Sequence, residues 1–99
     1  MSLLVHYTLK SADDHGALAS AMEVLVADLK VEAIPGLAYQ CFATDEATKF
    51  LGVLQFDDDA GFKSFQSSAA FATYRETVKP ILAGPPSTEK LAQIADTRA

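Results

Sequence analysis

The chain has no tryptophan and no asparagine, one cysteine at Cys41 and four prolines in 99 residues. A single cysteine excludes an internal disulfide framework and a cysteine-based zinc site, and it fits a reducing compartment. Eight Lys and Arg residues form no cluster and are outnumbered by thirteen Asp and Glu, a formal net charge of −5. Surfaces that neutralise phosphates need the opposite balance, so nucleic acid and anionic membranes are not expected partners. No apolar run approaches the roughly 18–20 residues that span a bilayer. Met1-Ser2-Leu3-Leu4 has no basic start of the secretory kind, so a soluble cytoplasmic protein is expected. Gly-rich phosphate loops and GxSxG nucleophile elbows are also missing.

What is present is apolar. Hydrophobic residues make up 49% of the chain, yet a domain this short buries only about 60–65% of the surface it exposes when unfolded. The excess asks for a partner surface. The length allows one domain, expected over residues 1–99, and no repeat or low-complexity linker divides it.

Leu3 to Leu9 reads as a strand with Leu3, Val5, Tyr7 and Leu9 on one side and Leu4, His6 and Thr8 on the other. Ser11-Ala12-Asp13-Asp14 sets a hydroxyl cap ahead of carboxylates that favour a helix N-terminus. Leu18, Ala21, Met22, Leu25, Val26 and Leu29 then recur at helical spacing until Pro35-Gly36. A second strand is expected from Leu37 to Thr44 and a third from Lys49 to Phe56, joined by a polar hairpin. Asp57-Asp58-Asp59 caps a second helical region with a break near Ser67-Ser68 and Pro80 near its end. After Gly84-Pro85-Pro86, Glu89 to Ala95 is expected as the last strand, mainly because the order needs one.

That order, βαββαβ, is the ferredoxin-like α+β arrangement: a four-stranded antiparallel sheet with both helices on one face. The first and third strands are apolar on both sides, so the bare sheet face needs covering. A second copy of the same sheet, packed about a two-fold axis, is the economical cover, and a homodimer is expected.

At this point the chain resembles the antibiotic biosynthesis monooxygenase-like family of the dimeric α+β barrel superfamily. The resemblance spans nearly the whole chain. It rests on the first strand ending near Leu9, the capped helix after it, and the stretch Phe50-Leu51-Gly52-Val53-Leu54-Gln55-Phe56-Asp57-Asp58-Asp59-Ala60-Gly61-Phe62, followed by Ser68, Phe71 and Val78-Lys79-Pro80-Ile81-Leu82. It implies a dimer of facing sheets and oxygenation of a small phenol- or quinol-type compound without a cofactor. The departures are specific. Where relatives often carry Glu and Trp on the third strand, this chain has Leu54 and Phe56, and where they often carry histidines on the second helix it has Phe65 and Ala70. Haem-degrading relatives need an axial His with Asn and Trp, so that subgroup is rejected.

Each candidate for chemistry has a plain packing alternative. His6 could act as a base toward a phenolic substrate, or be a satisfied histidine in the sheet or at the dimer interface. Tyr7, Tyr39 and Tyr74 could point hydroxyls into an apolar pocket, with Phe65 as a wall, or simply pack. Gln55 and Gln40 interrupt apolar strands and need partners, across the dimer axis or on a ligand. His15 reads as a surface residue and Cys41 as a small core residue. The three aspartates lack the alternating spacing of a calcium loop, so no metal site is expected. The competing functional reading is a non-catalytic ligand-binding or structural dimer. The two part on whether the pocket is open with convergent polar groups or filled by Phe50, Phe62, Phe65 and Phe71.

Overall fold

A computed structural model describes residues 2–97. Four strands, β1 (Ser2–Thr8), β2 (Leu37–Ala43), β3 (Lys49–Phe56) and β4 (Ser87–Leu91), form one antiparallel sheet in the order β2-β3-β1-β4. Three helices complete it: α1 (His15–Glu32), α2 (Asp59–Gln66) and α3 (Ala69–Val78). The ferredoxin-like order expected from the sequence is present, with its second helical region divided at Ser67-Ser68.

The division has a local cause. Asp58 Oδ1 accepts from Gly61 N at 2.9 Å and starts α2; Ser68 Oγ accepts from Phe71 N at 3.1 Å and starts α3. Ser68 also donates to the Phe65 carbonyl at 2.7 Å, so one buried hydroxyl closes one helix and opens the next. Ser11 acts earlier than expected: it caps a single 3-10 turn at Ala12–Asp14, and α1 proper starts at His15. At the far end of α1, Ala33 takes the left-handed conformation and donates its N–H to the Leu29 carbonyl.

The last strand runs two residues earlier than expected and stops at Leu91 rather than Ala95. Its register decides this: Leu91 pairs with Ser2, the first described residue of β1, and residues 92–96 have no regular structure. Leu9, expected at the end of the first strand, instead forms an isolated bridge to Leu82.

The core lies between the helices and one sheet face. Leu18, Met22, Leu25 and Leu29 of α1 pack there with Val5, Tyr7, Phe50, Leu54 and Phe56 of the sheet. Leu18, Leu25 and Leu54 are completely enclosed, and burial stabilises each by about 1.5–3 kcal/mol. The opposite sheet face carries Leu4, Leu51 and Val53, half-buried, with Phe42 46% exposed. It is the two-sided apolar sheet that the strand pattern describes.

Candidate functional site

Between the sheet, α2, α3 and the loop at 84–86 lies a cleft of about 710 Å³, within the range of small-ligand sites. Leu3, Val5 and Leu54 form its sheet wall, Phe62, Phe65 and Phe71 its helical wall, and Leu82, Pro85 and Pro86 its rim. The phenylalanines do not fill it. Phe65 stacks on Tyr39 at 5.7 Å between ring centroids and lies 4.5 Å from Phe71, so they stand as one aromatic side of an open space. Phe50 is elsewhere in the core, 4.8 Å from the His15 ring.

Three phenols converge on the cleft. Tyr7 Oη and Tyr39 Oη are 2.7 Å apart, a short hydrogen bond linking β1 to β2 across the intervening β3. Tyr74 of α3 meets Tyr7 edge-on, with centroids 6.2 Å apart. The Tyr74 hydroxyl is buried close enough to Tyr7 for the two to influence each other's ionisation, but no hydrogen bond of normal geometry satisfies it. Burial raises all three phenols above the ordinary tyrosine value of 10.0, so each stays neutral and acts as a donor or acceptor, not as a base, at neutral pH. Cys41 behaves likewise, its thiol pushed up by burial to about 11.

The Tyr7–Tyr39 bond depends on Gly52. Tyr39 reaches over β3, and a Cβ at Gly52 would sit 2.7 Å from its hydroxyl oxygen. Glycine inside a strand marks such a close approach, a signal the sequence contained and the strand assignment alone did not use.

Of the residues singled out in the sequence, Tyr7, Tyr39, Phe65 and Tyr74 all border this cleft. His6 and Gln55 do not. Alternation along β1 sends Tyr7 to the helical face and His6 to the opposite one, where His6 Nε2 lies 3.5 Å from Glu89 Oε1. Gln55 is exposed on that same outer face, paired with Ser2 and Ala38. Neither can touch a ligand held by the tyrosines, which corrects the expectation of His6 as its base and of Gln55 as part of its pocket. His15, read as a surface residue, ties α1 to the β2–β3 hairpin, with its Nδ1 3.0 Å from the Ala47 carbonyl. The cleft also brings in Arg75, Glu76 and Lys79 of α3 and the turn after it, which the sequence reading did not single out. Arg75 lies over the Phe71 ring at 5.0 Å. The spacing of four residues on one helix was the available signal.

Among the described residues, no group of three or more His, Cys, Asp or Glu side chains is placed to hold a metal, and no helix is long and apolar enough to cross a membrane.

Two solved structures named "putative antibiotic biosynthesis monooxygenase" share this architecture. The one from Nitrosomonas europaea superposes with a TM-score of 0.83 at 18% identity, covering 94% of this chain and 88% of its own. That from Caulobacter crescentus CB15 has a TM-score of 0.84 at 17% identity, covering 95% and 89%. The fold is the antibiotic biosynthesis monooxygenase fold. A Mycobacterium tuberculosis protein has it too, with a TM-score of 0.81 at 14% identity and coverage of 97% and 96%. No family model matches the sequence, and no curated protein does. The antibiotic biosynthesis monooxygenase fold is thus kept here at identities where side chains have largely been replaced.

Proposed function

We propose that this chain binds a small aromatic compound of the phenol or quinol class in the tyrosine cleft and oxidises it with molecular oxygen. The observation that carries this reading is the open cleft itself: aromatic and aliphatic walls around the hydrogen-bonded Tyr7–Tyr39 pair. Apolar walls take the ring, and the one hydroxyl of the Tyr7–Tyr39 pair that does not donate to its partner binds an oxygen substituent and stabilises negative charge developing on it. The reaction balances without any other reductant. A phenol and O2 give a quinone and water: one oxygen atom becomes the new carbonyl, the other leaves as water, and the ring supplies all four electrons. The protein's contribution is to hold and orient the ring and to donate a hydrogen bond to its oxygen.

A second copy is proposed to cover the outer sheet face, where Leu4, Leu51, Val53 and Phe42 form an apolar surface. The cleft is on the other face, so pairing of sheets leaves it open.

The test is oxygen consumption with a panel of phenols and hydroquinones. One O2 consumed per quinone formed from a phenol, slowed at least tenfold in Tyr39→Phe, supports the reading. Tight binding with no oxygen uptake by any of them overturns the catalytic part in favour of a binding protein. That second reading draws on the phenols of the cleft: burial holds Tyr7, Tyr39 and Tyr74 protonated, so none of the three serves as a base.

A further inference from the structure

The charges at the cleft run against those of the rest of the chain. Thirteen acidic residues outnumber eight basic ones, yet among the described residues the cleft is bordered by two cations, Arg75 and Lys79, and one anion, Glu76. Asp57, Asp58 and Asp59 crowd the start of α2 and stay out of it. The negative end of the α3 dipole favours cations in its last turn, which explains why Arg and Lys occur there. It does not explain why a chain of this composition leaves the remaining border of the cleft uncharged.

Arg75 and Lys79 are also one helical turn apart, a spacing at which like charges repel. Arg75 is held in place by its stacking on Phe71, itself part of the aromatic wall. Its guanidinium lies over the Phe71 ring, exposed at the mouth of the cleft as Lys79 is.

We infer that the ligand of this cleft carries an anionic oxygen group, held by Arg75 and Lys79 at the mouth while its ring lies against Phe65 and Phe71. The inference rests on the aromatic-ligand reading above and narrows it to aromatic acids. Guanidinium and ammonium donors form charge-assisted hydrogen bonds to carboxylate oxygens, and the neutral Tyr7–Tyr39 pair is left to bind a second oxygen deeper inside.

The test compares 2-naphthoate with its neutral isostere 2-naphthamide by calorimetry on the full chain. Expected is at least tenfold tighter binding of the acid, lost in the Arg75→Gln, Lys79→Gln double variant and retained in Arg75→Lys. Lys63→Gln removes a positive charge away from the cleft border and is expected to alter neither affinity by more than twofold. Equal binding of acid and amide overturns the anion inference and leaves the aromatic reading standing. An equal loss of both ligands in the double variant also overturns it, because Arg75 then acts through packing on Phe71. If neither compound binds, the aromatic reading fails and the inference with it.

Discussion

Gly52 and Tyr39 are fitted to each other: the hydrogen in place of a side chain at Gly52 leaves the space in which the Tyr39 hydroxyl meets that of Tyr7 at 2.7 Å. Gly52→Ala forces the ring away, because the new Cβ would stand 2.7 Å from Oη and the rigid phenol has no small adjustment that keeps its hydrogen bond. The expected loss is about 1–3 kcal/mol, as for other overpacked core sites. Adding Tyr39→Phe removes the closest clashing atom, so the two changes together should cost less than their sum. Urea denaturation of the four chains measures the coupling, and strict additivity would falsify the proposed fit.

Alkaline pH should destabilise the fold. Tyr7, Tyr39 and Tyr74 are held above their ordinary 10.0, and Cys41 is raised from 9.0 to about 11, in each case mainly by burial. The native chain therefore keeps protons that the unfolded chain releases. Stability from these groups is complete below the thiol's ordinary 9.0 and declines as pH rises, first through Cys41 and then through the tyrosines. The urea midpoint followed upward from neutral pH should fall in this range, and tyrosinate absorbance should rise together with unfolding. A native chain whose tyrosines all ionise near their ordinary value would contradict the buried cluster.

Ser68 joins two helices through one oxygen, bonded to Phe71 N at 3.1 Å and to the Phe65 carbonyl at 2.7 Å. Ser68→Ala removes both bonds from a buried position and is expected to cost about 1–2 kcal/mol. Phe65 and Phe71 flank the serine and form the cleft wall, so ligand affinity should fall too. Asp58→Ala removes the α2 cap alone and is expected to cost about 1 kcal/mol. If thermal melting finds the two equal and binding untouched, the Ser68 junction does not shape the wall.

The outer sheet face is to be tested at Leu51, which is half-buried between His6 of β1 and Phe42 of β2. Leu51→Glu places a charge at the centre of the proposed sheet-to-sheet contact and should convert a dimer into a monomer in sedimentation velocity. A wild-type chain that sediments as a monomer removes the need for the second sheet.

The elements were legible in the sequence because their causes are local. The apolar stripe of Leu18, Met22, Leu25 and Leu29, the aspartate cap at Asp58, the break at Ser67-Ser68, and the two-residue alternation of β1 and β3 act over a few residues and need no distant partner to be recognised. The last strand was the exception. Ser87–Leu91 is exposed throughout and has no apolar pattern, so only its hydrogen bonding to β1 defines it and sets its end at Leu91.

The sequence alone therefore determined the order of elements and the apolar excess. Which side chains meet was a tertiary decision. His6 and Tyr7 are neighbours in the chain yet lie on opposite sides of the sheet, whereas Tyr7, Tyr39 and Tyr74 come from three elements and converge. Strand pleating separates adjacent side chains, and only the packing of α3 against the sheet brings Tyr74, Arg75 and Lys79 to the same cleft. Local patterning cannot encode that meeting, because it depends on register and helix placement set by the whole core.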